Sequence, residues 1–324
     1  MKCIELIKLL KSKRVHFSDI LLSKTRKSCV VSLTSGSMKS RMDVVDLTDN
    51  KHESTSLKMT KTRLIELLEN GDLNEVVADE SPAPSLGVLG EGYHIEMGVY
   101  RRSVASDLIA VNKHQDVQSE KIARGVLLEF TGNDLNLISV YEDSILTFNY
   151  KIDFGGDVSY FIGVDQLPYI INFLKIQETF EFVIGNQSLK MVGGDGSEIY
   201  LEKESPTGVR LDLMLPKEFL VTAVVNAGHL LKALEIYKAM RNKRVLFHVK
   251  TDQLQMESRS GFQLRADAHS DADDFVCAFD AKRLHKNLSQ FPCREFHMHF
   301  SGSENLMMVR FGHQVYYQMP LPLR

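Results

Sequence analysis

The chain has 324 residues, of which 44% are hydrophobic and 25% charged, and this globular composition excludes a disordered or fibrous protein. Its length exceeds that of one ordinary domain, so the sequence predicts a multidomain protein. The formal net charge of -3 argues at first against nucleic-acid binding, because DNA-binding surfaces carry surplus Lys and Arg.

The near-zero total hides a separation of charge along the chain. Residues 1–63 contain 14 Lys and Arg against 6 Asp and Glu, whereas residues 64–100 contain no Lys or Arg and 8 Asp and Glu. Such separation creates a field that attracts a polyanion, although a merely solvated basic surface explains the pattern equally well.

Four cysteines without a Cys-x-x-Cys pair indicate reduced structural thiols rather than a disulfide framework or a zinc site. No apolar run is long enough to cross a membrane, which needs about 18 residues. We therefore expect a soluble cytoplasmic protein with no membrane partner.

Two segments rich in Pro, Gly and Ser divide the chain, one at 78–92 and one around Pro206. They predict domains at 1–97, 98–206 and 207–324. In the first domain, C-I-E-L-I-K-L-L-K and T-R-L-I-E-L-L-E-N are candidate helices, and S-C-V-V-S-L and M-D-V-V-D-L are candidate strands. This domain is either a divergent third copy of the repeated unit or an unrelated domain.

In the middle domain, apolar residues at helical spacing predict a helix over 101–114. The segments G-V-L-L-E-F and L-N-L-I-S-V read as two strands joined by a turn at Thr131–Asp134. I-L-T-F-N-Y and V-S-Y-F-I-G-V read as two further strands. A second helix is expected to begin at Asp165 as its N-cap, and three strands follow it.

The last domain repeats this order. V-V-N-A-G-H-L-L-K-A-L-E-I-Y-K-A-M predicts a helix, and four strand patterns follow it. A second helix begins at Asp280 as its N-cap and ends before Pro292, and three strands close the domain. Each repeat is a doubled β-α-β-β-β unit, so the predicted fold class is α+β, with helices on one face of a continuous antiparallel sheet.

The last domain contains three recognisable segments, F-D-A-K-R-L-H-K-N-L-S-Q-F-P, E-F-H-M-H-F-S-G-S-E-N-L-M-M-V-R and the ending Y-Y-Q-M-P-L-P-L-R. They look like the last domain of the bacterial-type DNA polymerase sliding clamp, the β clamp. The middle domain is similar through G-V-L-L-E-F-T-G-N-D-L-N-L-I-S-V and D-Q-L-P-Y-I-I. The resemblance covers residues 100–324. The longer tail and the barely recognisable first domain indicate a divergent clamp, for which a phage-encoded protein is one expectation. The resemblance thus implies the cytoplasm of a bacterial cell or of the host cell of a phage.

The resemblance implies a DNA-clamp fold that forms a ring around double-stranded DNA, with sequence-independent contacts from Lys and Arg to phosphates. Solvation of helix faces is the ordinary alternative for such residues. The DNA-facing residues predicted on the helices are Lys8, Lys11, Arg14, Arg101, Arg102, Lys113, Lys175, Lys232, Lys238, Arg241, Lys282, Arg283 and Lys286.

The resemblance also implies a hydrophobic cleft between the middle and last domains that accepts peptides from a DNA polymerase, a clamp loader and repair proteins. Flexible apolar side chains suit such a groove, although the same residues could be ordinary strand core. The residues matching the cleft are Val140, Ile145, Tyr317, Met319, Pro320 and Leu321.

We find no catalytic motif and no cofactor motif, so the sequence predicts a protein that is not an enzyme and uses no cofactor or metal. His297 and His299 alternate onto one strand face, but a metal site needs a further ligand at fixed spacing. The Gly193–Gly196 segment is interpreted as a hairpin turn rather than a phosphate loop.

The leading hypothesis is a DNA polymerase processivity factor that closes into a homo-oligomeric ring, a dimer if all three domains are clamp-like and a trimer if only two are. Edge strands of the first and last domains would pair across the subunit boundary. The alternatives are a viral regulatory or structural interaction protein, such as a transcription co-activator, that does not encircle DNA, and a hydrolase with a dispersed active site.

Overall fold

The computed structural model describes residues 3–11, 17–24, 28–35, 38–46, 55–70, 92–97, 100–115, 124–141, 143–185, 188–202, 215–216, 218–240, 243–271 and 274–323. These residues form two compact units. The first lies within 1–113, 123–136 and 150–206, and the second within 114–122, 137–149 and 207–324. The predicted domain boundaries at 97 and 206 stay a prediction.

The first unit contains helices and antiparallel strands. Its helices are α1 (Cys3–Lys11), α2 (Lys61–Asn70), α3 (Arg101–His114, whose last residue belongs to the second unit) and α4 (Leu167–Ile176). Its strands are β1 (Asp19–Lys24), β2 (Ser28–Ser35), β3 (Met38–Asp46), β4 (Thr55–Lys58), β5 (Tyr93–Glu96), β8 (Phe180–Ile184), β9 (Ser188–Gly193) and β10 (Glu198–Glu202). They form a sheet in the order β4-β1-β2-β3-β10-β9-β8-β5.

Two long strands contribute residues to both units, β6 (Gly125–Tyr141) and β7 (Ser144–Gly163). The predicted turn at Thr131–Asp134 is wrong, because β6 continues through it. The two strands predicted over 145–164 are likewise one strand. Gly132 and Gly155 take left-handed φ values of 55° and 72°, which glycine adopts without strain inside a continuing strand.

The second unit adds helices α5 (Ala227–Ala239) and α6 (Ala281–Leu288). Its strands are β11 (Val221–Asn226), β12 (Arg244–Lys250), β13 (Gln253–Ser258), β14 (Gln263–Ser270), β15 (Phe275–Asp280), β16 (Glu295–Phe300), β17 (Met307–Phe311) and β18 (Gln314–Gln318). The sheet order is β15-β12-β13-β14-β11-β16-β17-β18-β7-β6. Antiparallel sheets with few helices confirm the predicted α+β class.

Local sequence explains where the helices begin. Asp280 caps α6, since its side chain accepts a hydrogen bond from the Arg283 amide, as predicted. Asn226 caps α5 in the same way. The predicted cap at Asp165 is wrong: the N-cap of α4 is Gln166, whose side-chain oxygen accepts instead from the Gly163 amide.

Periodicity explains what each element buries. Along α5, Leu230, Leu234 and Tyr237 recur at helical spacing and are buried. Along β12 and β13, buried and half-buried residues alternate, as expected for strands with one face on a core. Within the described residues, no helix is both long and apolar enough to span a membrane.

Candidate functional site

The candidate site lies in the second unit, where the chain's tail runs along the turn-side end of β7. β18 pairs antiparallel with β7, with Tyr317 opposite Ile145 and Gln318 opposite Ser144. After β18 the backbone continues in register for one more contact, because the Met319 amide donates to the Asp143 carbonyl at 2.7 Å. The tail is therefore an extension of the sheet.

Close to the tail, one face of this pairing carries apolar side chains. Directly opposed residues in an antiparallel pair lie on the same face, so Ile145 and Tyr317 are neighbours, and so are Tyr317 and Met308 of β17. Alternation along β6 turns Val140 away from its buried neighbour Ser139. Burial raises the pKa of Tyr317, while the positive charge of Arg310 opposes that rise, so this phenol is neutral at physiological pH.

The three apolar residues of the tail that follow β18 differ in exposure. Met319 is 44% exposed, Pro320 is buried, and Leu321 is half-buried. The Leu321 amide donates to the Ala278 carbonyl of β15 at 2.7 Å, which fixes the tail at a second point. Met319 is thus an exposed, flexible apolar side chain on an anchored backbone.

The opposite face of the same strands carries a buried polar cluster next to the buried Leu146 and Val309. The Tyr316 hydroxyl accepts a hydrogen bond from Asn287 Nδ2 at 2.8 Å and donates to Gln318 Oε1. Asp143, in the turn before β7, forms an ion pair with Arg283 of α6 at 2.7 Å. These contacts connect the tail strand, the β6–β7 turn and α6.

The structure therefore gathers the predicted cleft residues in one place. Ile145, Tyr317, Met319, Pro320 and Leu321 lie along the β7–β18 pairing and the tail, and Val140 lies on β6 beside them. An exposed methionine next to a half-buried tyrosine and buried aliphatic side chains can bind an apolar segment of a partner. Their role in partner binding stays a prediction.

The predicted DNA-facing residues are spread over both units. On α5 and α6 of the second unit, Lys232 and Lys282 are exposed, Lys238 lies 3.9 Å from Glu235, and Arg283 pairs with Asp143. Lys286 is half-buried on α6. Glu235 is the acidic residue on these two helices, so their exposed surface is positive.

In the first unit, Arg102, Lys113 and Lys175 are exposed on α3 and α4. Lys8 is exposed on α1, where Lys11 forms an ion pair with Glu69 of α2 at 2.5 Å. Arg14, Arg241 and the side chain of Arg101 lie outside the described residues. Whether any of these residues contacts DNA stays a prediction.

The residues considered for metal binding do not form a site in the described part of the chain, where no three His, Cys, Asp or Glu side chains are grouped to hold an ion. His297 is exposed on β16, and His299 Nδ1 lies 3.2 Å from the Thr222 hydroxyl. Burial and the neighbouring His297 lower the pKa of His299, which favours a neutral imidazole.

Sequence reasoning missed two groups of residues at the site. Met308 lies opposite Tyr317, and strand alternation in M-M-V-R could have indicated it, since Met307 is the buried neighbour. His114, Ser139, Ser144, Asn287 and Gln318 form the buried polar cluster. No local motif joins these residues, because they come from distant parts of the sequence.

Comparison with known proteins identifies the fold. No protein-family model and no curated protein matches the chain. The DNA polymerase III beta subunit of Thermotoga maritima matches with a TM-score of 0.76 at 13% identity, over 99% of this chain and 98% of that chain. The DnaN sliding clamp of Pseudomonas aeruginosa bound to griselimycin gives the same TM-score, identity and coverage.

The beta subunit from Borrelia burgdorferi, in complex with a natural product, matches with a TM-score of 0.74 at 12% identity, over 100% of this chain and 98% of that chain. Coverage of this extent includes the first domain, where the sequence resemblance was weakest. The chain has the sliding-clamp fold, as the resemblance predicted.

Proposed function

We propose that this protein is a DNA polymerase processivity factor, a sliding clamp that encircles double-stranded DNA and tethers a polymerase to it. The observation that carries the proposal is agreement with a clamp structure over 99% of this chain and 98% of the other. A partial match would fit a protein that contains one clamp-like domain, whereas full-length agreement favours a complete sliding clamp.

Ring closure needs a surface on which a second copy can dock, and β14 offers one. β1, β2 and β3 are consecutive antiparallel neighbours, and β3 pairs on its outer side with β10. β12, β13 and β14 repeat the arrangement in the second unit. The outer side of β14, however, pairs with β11 only at Ala268–Ser270 among the described residues.

The hydrogen-bonding direction along β14 follows from the turn that precedes it. The Ser258 amide donates to the Phe262 carbonyl at 2.9 Å. The backbone N–H and C=O groups of even-numbered residues of β14 therefore face β13, and those of odd-numbered residues face away from it. Gln263 and Arg265 thus direct their backbone groups outward. A strand of a second copy can pair there head to tail, as closed rings require. We favour a dimer, with a trimer as the alternative.

The basic helices supply the proposed contact with DNA. The exposed surfaces of α5 and α6 carry Lys232, Lys238 and Lys282, and α3 and α4 carry Arg102, Lys113 and Lys175. Lysine and arginine that meet phosphates without reading bases give binding that is strong at low salt and independent of sequence. This chemistry suits a protein that slides, and it needs no catalytic group.

The apolar strand face beside the tail supplies the proposed tether. Val140, Tyr317 and Met319 present adaptable apolar surface beside the buried Ile145, and the anchored tail holds it in place. A polymerase or a clamp loader would insert a short apolar segment there. Deletion of residues 319–324 removes the exposed methionine together with both backbone anchors of the tail.

Two measurements on the full chain test the proposal. Light scattering should give a multiple of the 36.7 kDa chain mass, and griselimycin should bind the intact protein but not the tail deletion, whose oligomer should persist. A monomeric mass at micromolar concentration would argue against a ring. Equal griselimycin binding before and after the deletion would argue against the proposed tether surface.

A further inference from the structure

A buried histidine lies behind the tail strand, with both ring nitrogens hydrogen-bonded. His114 is 1% exposed, its Nδ1 lies 2.9 Å from Ser139 Oγ, and its Nε2 lies 2.9 Å from Ser144 Oγ. Gln115 Nε2 donates to the same Ser139 oxygen at 2.7 Å and to the Val140 carbonyl at 3.0 Å. The end of α3 is thereby joined to the β6–β7 turn.

The partners of the two serines assign the imidazole tautomer. Ser144 donates its hydroxyl proton to the Tyr141 carbonyl at 3.0 Å, so it must accept from His114 Nε2–H. Nδ1 is then the acceptor, and Ser139 donates to it while accepting from Gln115. Each donor has one acceptor in this arrangement, and it requires a neutral imidazole.

Protonation of His114 would break this pattern. A proton on Nδ1 would point at a Ser139 oxygen that already accepts from Gln115, and the Ser139 hydroxyl would lose its acceptor. Burial and the positive charge of Lys286 on α6 lower the pKa of His114 to about 3, so the ring is neutral at physiological pH.

Aromatic rings cover the imidazole from the other elements packed against it. Tyr141 of β6 lies 5.9 Å and Tyr316 of β18 lies 6.5 Å from it, between ring centroids, both edge-on. The charged pair Asp143 and Arg283 lies near Tyr316, where Asp143 raises and Arg283 lowers the pKa of the phenol. The charge that acts on the pKa of His114 is Lys286.

A continuous path connects this histidine to the tail. Ser144 is directly opposite Gln318, whose Nε2 donates to the Met319 carbonyl at 3.1 Å and to the Asp143 carbonyl at 3.4 Å. The Asp143 carbonyl also accepts from the Met319 amide. The backbone of Met319 is thus held by the turn that His114 fixes.

We infer that His114, as the neutral Nε2–H tautomer, is the positioning residue that holds the β6–β7 turn against the tail and so sets the place of Met319 in the partner-binding surface. The effect on partner binding rests on the proposed function. The effect on the tail does not, because it follows from the hydrogen bonds alone.

Hydrogen exchange tests the effect on the tail. In His114→Leu the Ser139 hydroxyl loses its acceptor, and Ser144 loses the Nε2–H donor while keeping the Tyr141 carbonyl. One unpaired buried hydroxyl changes a local opening equilibrium by about tenfold. We expect the Met319 and Leu321 amides to exchange about tenfold faster than in the wild type. His114→Gln supplies one donor and one acceptor and should restore most of the protection.

A matched control separates positioning from general destabilisation. Tyr237→Phe, in the same unit, removes a hydroxyl that donates to the Met256 carbonyl at 2.7 Å and also contacts the Phe262 carbonyl. It should leave the exchange of the Met319 and Leu321 amides unchanged relative to the rest of the unit. Equal acceleration of the tail amides in His114→Leu and Tyr237→Phe would overturn the inference.

Two further readouts test the tautomer and the consequence. Long-range ¹⁵N–¹H spectra of labelled histidine should show one neutral Nε2–H species for His114 between pH 7 and pH 5, and an Nδ1–H or charged ring would refute the assignment. If the wild type binds griselimycin, His114→Leu should weaken binding about tenfold and His114→Gln much less. A wild type that does not bind it would count against the proposed function, while exchange and tautomer still decide the role of His114.

Discussion

Acidification should destabilise the second unit through His114, and the size of the effect can be worked out. In the unfolded chain this histidine has its ordinary pKa of 6.5, whereas in the folded protein the pKa is lowered to about 3 by burial and by Lys286. Between these values the unfolded state binds a proton that the folded state does not. The stability that His114 contributes is therefore complete above pH 6.5 and is lost as the pH falls toward 3.

The slope in this window is about 1.4 kcal/mol per pH unit, and integration from pH 7 to pH 5 gives a loss of about 2 kcal/mol in the free energy of unfolding. The result is insensitive to the folded pKa as long as that value lies well below 5. The pKa values of His285 and His299 are also lowered, chiefly by burial, so they contribute in the same direction. Comparison with His114→Gln isolates the share that belongs to His114.

Methionine oxidation in a urea series measures this effect in the second unit alone. Met298 and Met307 are fully buried there, so a short peroxide pulse oxidises them only when the unit unfolds. The wild type should lose about 2 kcal/mol more than His114→Gln between pH 7 and pH 5. Equal losses in the two proteins would refute the reasoning, because they would mean that His114 has the same pKa in both states.

Three further predictions concern the edge strand, the basic helices and a helix cap. Arg265→Pro removes an outward amide of β14 without touching the bonds to β13, so it should reduce the mass in light scattering to that of a monomer, while Arg265→Ala keeps the amide and the oligomer. Lys232→Glu should remove one phosphate contact, which lowers the steepness of the plot of log affinity for duplex DNA against log salt concentration by about 0.9. Lys250→Glu, on a strand, is the control and should leave this slope unchanged. Asp280→Ala loses the cap on the Arg283 amide and should lower the free energy of unfolding of the second unit by about 1 kcal/mol, as measured by urea unfolding. The affinity for DNA should be unchanged.

Elements with strong periodicity could be predicted from the sequence. The helix at 101–114 and the Asp280-capped helix begin where their spacing and cap indicated, because both signals lie within one helical turn. The long strands β6 and β7 could not be predicted, since a left-handed glycine inside a strand and one at a hairpin turn have the same local sequence. Only the pairing of β6 with β7 decides between them.

The candidate site divides in the same way. Tyr317, Met319 and Leu321 could be found because they are contiguous in a recognisable tail. The role of His114 could not be predicted, because its partners Ser139 and Ser144 lie 25 and 30 residues away and become its neighbours only in the folded second unit. Hydrogen-bond complementarity of this kind is created by the fold and leaves no spacing rule in the sequence.

Retention on circular DNA tests the central claim most directly. Subunits diluted until they separate are mixed with a nicked circular plasmid, concentrated so that rings close around it, and washed at high salt to remove electrostatic binding. The account predicts that protein stays on the circle and is released when a restriction enzyme linearises it. Release from circular and linear DNA alike at high salt would contradict the claim that this protein encircles the duplex.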